Sequence, residues 1–182
     1  MKNILMIVGS MRKNSFNRRL AQKIEELLSG YAAVSYLEYS DLPYMNQDIE
    51  FPTPESVKRV RAAVLEADGI WICTPEYNHD TPGVLKNLLD WLSRPLAFGD
   101  SSRSTAVKNK PVTLSGAAGK SASADVRRKL KEVLESMSMN VVYDAGTGIS
   151  LNSEAFKSDV LSFSDETVAA LKKQAEAFIE AI

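Results

Sequence analysis

Short apolar runs alternate along this chain with stretches in which apolar side chains recur every three or four positions. Ile4-Leu5-Met6-Ile7-Val8 has no polar member, which predicts a strand buried on both faces. Ser15 to Leu28 predicts a helix with Phe16, Leu20, Ile24, Leu27 and Leu28 on one side. Val34 to Tyr39 predicts a second strand. A loop punctuated by Pro43 and Pro52 follows, and Thr53-Pro54-Glu55 offers an N-cap, a first-turn proline and a first-turn acid. Val57, Val60, Val64 and Leu65 stripe the helix after it. Gly69 to Thr74, Pro111 to Leu114 and Asn140 to Tyr143 predict three more strands. Thr81-Pro82 opens a helix with Leu85, Leu88, Leu89 and Leu92 on one face. Ser123 to Met137 predicts another, packed through Val126, Leu130, Val133, Leu134 and Met137. Val168, Leu171, Ala175, Phe178, Ile179 and Ile182 stripe the last.

Five strands alternating with five helices predict an α/β fold, a doubly wound parallel sheet with helices on both faces. No internal repeat and no linker interrupts the pattern, so residues 1–182 are expected to form a single domain. Two stretches are long for plain connections, Ser93 to Lys110 and Gly146 to Ser164. Loops of that length serve function or assembly, or are mobile surface. Val84 and Trp91 fall off the core stripe of their helix, which leaves an apolar patch open to two uses. One is pairing with a second copy; the other is packing under the Ser93–Lys110 stretch.

Composition removes whole classes of function. There are 22 Lys and Arg against 23 Asp and Glu, a net charge of −1, so nothing marks a broadly cationic nucleic-acid binder. A single cysteine and a single histidine exclude disulfide scaffolds and multi-cysteine or histidine-rich metal sites. The opening apolar run is too short for a membrane span, and a cytoplasmic protein with no membrane partner is the expectation.

Several motifs fail on inspection. Gly116-Ala117-Ala118-Gly119-Lys120-Ser121 has the tail of a nucleotide-triphosphate loop, but Leu114 stands where its first glycine is required. Gly146-Thr147-Gly148 meets Leu151 where a dinucleotide fingerprint needs its third glycine. A phosphatase-type loop from Cys73 would need arginine at the position of His79. His79 has no evident base or acid partner. No nucleophile elbow exists, so no side chain is expected to act as nucleophile.

The loop after the first strand is richer. Gly9 permits a sharp turn, and Ser10, Asn14, Ser15 and Asn17 bring short hydrogen-bonding side chains to the start of a helix. From Met1 to Ile24 there is no acid, while Arg12, Lys13, Arg18 and Arg19 crowd a helix N-terminus whose dipole disfavours cations. A bound phosphate resolves that conflict; a solvated basic helix face is the plain alternative. The loop after the third strand, Thr74-Pro75-Glu76-Tyr77-Asn78-His79-Asp80, is stiffened by proline. It offers an aromatic face and amide edges that suit a flat heteroaromatic ring, or it is an ordinary connection. In strand order 2-1-3-4-5 these two loops flank one crevice at the carboxyl edge of the sheet. Together they fit one ligand with a phosphate and a large flat ring, FMN.

Gly9-Ser10-Met11-Arg12 with Ser15 and Asn17 resembles the phosphate loop of the NADPH-dependent FMN reductases, which include bacterial quinone, azo-dye and chromate reductases. Pro75-Glu76-Tyr77-Asn78 is similar to the most recognisable segment of that family. Thr81-Pro82-Gly83, Leu85-Lys86-Asn87 and Asp90-Trp91-Leu92-Ser93-Arg94 extend the likeness, which spans about residues 3 to 120. The resemblance implies a flavodoxin-like fold and an FMN-dependent NAD(P)H oxidoreductase. Electrons would pass from NADPH or NADH through FMN to a small-molecule acceptor such as a quinone, flavin, azo compound or metal oxyanion. It implies that Ser10, Arg12, Ser15, Phe16 and Asn17 hold the phosphate and ribityl end. Pro75, Glu76, Tyr77 and Asn78, with Ser115 and Gly116, would line the ring. It also implies a homodimer or homotetramer. His79-Asp80 stands where family members often carry a less charged pair. An electron carrier with the same cofactor, and a cofactor-free interaction domain, are the rival readings.

Overall fold

A computed structural model describes residues 1–102 and 104–182. The chain runs β1 (Lys2–Val8), α1 (Phe16–Leu28), β2 (Ala32–Tyr36), a turn of 3-10 helix (Gln47–Ile49), α2 (Glu55–Glu66), β3 (Gly69–Cys73) and α3 (Gly83–Leu92). It continues with β4 (Pro111–Ala118), α4 (Ala124–Ser136), β5 (Asn140–Val141), β6 (Thr147–Ser150), α5 (Ser153–Ser158) and α6 (Asp165–Ala181). The strands pair in the order β2-β1-β3-β4-β5, all parallel, with β6 also on β4.

The apolar run of β1 serves two cores at once. Ile4, Met6 and Val8 face α1 and α6, while Leu5 and Ile7 face the opposite layer of α2, α3 and α4. That is the alternation expected of a strand covered on both sides. The loops after β1 and β3 therefore emerge side by side at the carboxyl edge, where strand order reverses.

β4 is twice the expected length. Ser115 to Ala118 continue it and pair with Thr147 to Ser150 of β6. Small residues concealed this half of the strand, because its outward space is taken by neighbouring backbone and not by bulky side chains. β5 and β6 share the outer edge of β4, separated by a bulge. Within it Gly146 has φ +67°, and a Cβ there would stand 1.7 Å from the Leu114 carbonyl oxygen. Arg127 donates to the carbonyls of Ala145 and Gly146 at 2.7 and 2.6 Å and fixes the bulge. The stretch expected to be one long connection, Gly146 to Ser164, thus contains β6 and α5.

Three other expectations are corrected. Leu65 is exposed, and the fourth buried position of α2 is Arg61, which donates to the Trp91 carbonyl at the end of α3. Helix α2 is not capped by Thr53, whose hydroxyl instead donates to the Glu50 carbonyl. Trp91 is fully buried, its indole N–H on the Pro43 carbonyl at 2.8 Å, so the loop after β2 covers it and only Val84 remains exposed. The apolar patch expected from that pair does not exist. Among the described residues, no helix is long and apolar enough to cross a membrane.

Candidate functional site

The two loops at the carboxyl edge enclose a crevice of about 220 Å³. Ser10, Arg12, Ser15, Phe16 and Asn17 line it on the β1 side, and Pro75, Glu76 and Tyr77 on the β3 side. Ala117, Ala118 and Gly119 form its floor, and Leu151 and Phe156 close the far wall. A larger depression of about 960 Å³ runs beside α3 and α4. It lies away from the carboxyl edge, and of the cations lining it Lys86 and Arg94 are paired with Asp90 and Glu50.

On the β1 side, Ser15 is the N-cap of α1 and accepts from the Asn17 N–H at 3.2 Å. Ser10 accepts from the Arg12 N–H at 3.3 Å, which folds the loop back on itself. No acid stands in the first turn of α1, so its positive end faces the crevice uncompensated by a side chain of that turn. Asn17 is buried and binds across the sheet. Its amide donates to the Ala117 carbonyl at 3.0 Å and accepts from the Ala117 N–H at 2.8 Å. Gly9 is required for a reason different from a sharp turn, since a Cβ would approach Thr74 Oγ1 to 2.8 Å.

The basic cluster divides among separate tasks. Arg12 stands at the crevice rim over the Phe16 ring, 5.3 Å from its centroid, and pairs with Asp159. Its guanidinium holds the Asp159 carboxyl below the usual carboxylate range. Arg19 grips the Asp159 carbonyl. Arg18 turns away over Tyr36 toward Glu38, and Lys23 pairs with Glu26. Of these four, Arg12 alone lines the crevice. Phe156 meets Phe16 edge-on, with ring centroids 5.8 Å apart.

On the β3 side, Tyr77 to Asp80 form a two-residue turn. The Tyr77 and Asp80 backbones exchange hydrogen bonds at 3.1 and 3.0 Å. Asn78 and His79 at its tip have φ +53° and +60°. Positive φ at both central residues defines a type I′ turn, and asparagine tolerates it well. Tyr77 is half exposed against the crevice, whereas Asn78 stands at the tip and is not part of the wall.

Glu76 does something the sequence did not reveal. Its carboxylate is buried, accepting from the Ser121 hydroxyl at 2.7 Å and from the Val126 N–H at 3.1 Å. Ser123, at the start of α4, has φ +58° and makes no side-chain cap. Glu76 therefore caps α4 from another loop. His79 also has a partner, Asp125, at 2.9 Å, and Lys129 holds Asp80 at 2.9 Å. That hydrogen-bonded cation keeps the Asp80 carboxyl below its ordinary range. The whole turn is clamped onto α4.

Ser115 and Gly116, expected at the ring end, do not line the crevice. Ser115 is buried inside the sheet, accepting from the Trp71 indole at 3.1 Å and donating to Gln174 at 3.2 Å. Gly116 lies beneath Ser123 and the Thr74 carbonyl, where a Cβ would meet oxygen at 2.2 and 2.5 Å. Both residues lie within β4, and the crevice lining begins at Ala117.

The model of the NADPH-dependent FMN reductases matches residues 2–151. The chain belongs to that family. A quinone reductase of Pseudomonas putida is 42% identical over 101 residues, 55% of this chain and 53% of that protein. The match to the first curated relatives thus spans about half their length. An NAD(P)H-dependent FMN reductase of Pseudomonas aeruginosa is 28% identical over 175 residues, 96% of this chain and 91% of that one. The solved structure of FerB, a flavoenzyme NAD(P)H:(acceptor) oxidoreductase from Paracoccus denitrificans, superposes with a TM-score of 0.85 at 29% identity. It covers 99% of this chain and 96% of its own. The fold is flavodoxin-like, with the strand order of that architecture.

Proposed function

We propose that this protein binds FMN in the carboxyl-edge crevice and uses it to pass electrons from NAD(P)H to a small-molecule acceptor. The observation that carries this reading is the convergence of unlike chemistry on one crevice. A cation, two serines and an acid-free helix start stand at one end; an aromatic turn and small backbone-rich residues stand at the other. That donor set suits a phosphomonoester joined to a flat ring.

Ser10, Ser15, Arg12 and the first turn of α1 would hold the phosphate. Phe16, Leu151 and Phe156 give this end an apolar wall that limits water. Pro75 and Tyr77 would bound the ring opposite the Ala117–Gly119 backbone, held in place because Glu76 ties their loop to α4. Bound FMN supplies the redox chemistry, accepting a hydride from a nicotinamide and reducing an acceptor. The protein orients and excludes water; no nucleophilic side chain is needed. A quinone is the acceptor class named for matched relatives, and flavin, azo compounds and metal oxyanions are further acceptors to assay. A cytoplasmic setting, where NAD(P)H is available, and a homodimer or homotetramer belong to the same reading. Size measurement in solution tests the latter.

The deciding experiment is a visible spectrum of the FMN-loaded protein, without oxygen, before and after NADPH or NADH. Bleaching of the flavin band, restored by a quinone, is the expected result. A flavin that binds and does not bleach leaves the electron-carrier reading in its place. Failure to bind FMN removes both.

A further inference from the structure

The family match ends at residue 151, yet the next element supplies part of the crevice and holds its arginine. Asn152 caps α5 through the Ala155 N–H at 2.8 Å, and Ala155 and Leu161 are buried in the core layer of α1. The segment is thus anchored on both sides of Asp159. Asp159 ends α5 in the left-handed conformation, φ +56°, with its carbonyl engaged by Arg19 and its carboxylate by Arg12. Arg12 therefore already has an internal anion at the rim where the phosphate-binding groups converge. The carboxylate and a ligand phosphate claim the same guanidinium and repel one another.

We infer that Asp159 is a resident counter-anion of the phosphate site, holding Arg12 until a phosphomonoester displaces it, and that it sets how readily FMN exchanges. This inference rests on the FMN reading above. A binding-competent Arg12 is only a fraction of the population, and apparent affinity falls by that fraction. Asp159 thus loosens the hold on the phosphate and leaves the ring end unaffected. Its consequence is a flavin that leaves and returns.

The test titrates the full chain, freed of flavin, with FMN and separately with riboflavin, following flavin fluorescence. Asp159→Asn keeps the shape and suits the left-handed conformation, which asparagine adopts readily. It is expected to bind FMN roughly three- to tenfold more tightly than wild type, because both the competing pair and the repulsion are gone. Riboflavin, which has no phosphate, is expected to bind both proteins equally. The FMN gain is expected to shrink at about 1 M salt. Asp159→Gly, which also accepts positive φ, provides a second variant with the same expected direction. Equal or weaker FMN binding by both variants overturns the inference and leaves the FMN reading standing. Parallel tightening of riboflavin also overturns it, since Asp159 would then act on crevice shape. If the wild type binds neither flavin, the FMN reading falls and this inference falls with it.

Discussion

The loops after β1 and β3 face each other across one crevice, but they are held by opposite means. The β1 loop is organised by its own neighbours: Ser10 accepts from Arg12 N–H, and Ser15 accepts from Asn17 N–H. Its one crevice-facing cation is half exposed and paired with a partly exposed acid. The β3 loop is organised from outside. Glu76, His79 and Asp80 reach Ser121, the Val126 N–H, Asp125 and Lys129 on and before α4. One loop holds its crevice-facing cation in an exposed ion pair, which the proposed phosphate would displace; the other uses its charges to fix a shape. The same residue types thus fill different roles according to burial. Arg12, half exposed at the rim, is the proposed phosphate ligand, whereas buried Glu76 caps α4.

That contrast is broken most severely at Glu76. Glu76→Ala leaves the Val126 N–H and Ser121 hydroxyl without their acceptor in a buried site. The expected loss is about 2–3 kcal/mol, or roughly 4–12 °C in thermal midpoint for a chain this size. Calorimetry of the two proteins reads it, and a shift under about 2 °C would show the cap is unimportant. Arg12→Ala is expected to behave in the reverse way. Stability should stay within about 0.5 kcal/mol, as for other exposed positions. FMN affinity should fall about 10- to 100-fold, the loss of a charge-assisted phosphate contact. Fluorescence titration measures the affinity; unchanged binding would remove Arg12 from the site.

The difference between the loops also explains what could be read in advance. The turn and cap of the β1 loop were legible because those two interactions are local in sequence. Ser15 caps the helix by accepting from the Asn17 N–H two residues on, and an acid-free stretch is visible by inspection. The strands themselves followed from apolar runs, and β1 serves both cores as its pattern predicts. The β3 loop showed its turn and aromatic residues but not its clamp, since Glu76 and Val126 are 50 positions apart. Asp159 was hidden for the same reason, 147 residues from Arg12. That Ser115 and Gly116 continue β4 was not legible, because small residues carry no apolar period. The smallness of Gly116 reports close packing under Ser123 and Thr74, a contact absent from the local pattern. Trp91 was misread because helical spacing cannot show that the loop carrying Pro43 folds over it.

The turn itself offers a finer break. Asn78 occupies positive φ without contributing to the crevice wall, so its side chain is replaceable if the backbone is satisfied. Asn78→Ala is expected to cost about 1 kcal/mol, because alanine lacks the short polar side chain that eases asparagine into the left-handed region. Asn78→Gly should recover most of that loss. Urea midpoints for the pair decide it, and equal midpoints would mean the turn relaxes out of type I′ geometry.

The smallest expected effect tests the outer edge of the clamp. Lys129 holds the Asp80 carboxyl below its ordinary value, and the Thr81 N–H on the same carboxylate reinforces the shift. The folded state therefore binds that proton less readily than the unfolded chain. Its contribution is fully present above the unfolded carboxylate value, about pH 3.9, and is lost as pH falls through the lower folded value. Lys129→Gln should lower stability slightly at neutral pH, with a difference from wild type that stays constant between about pH 7 and pH 5. Below about pH 4 the two proteins should converge, provided each remains folded there. Paired thermal scans across that range read the convergence. A difference that instead vanished between pH 7 and pH 5 would show that the Lys129–Asp80 pair is not its source.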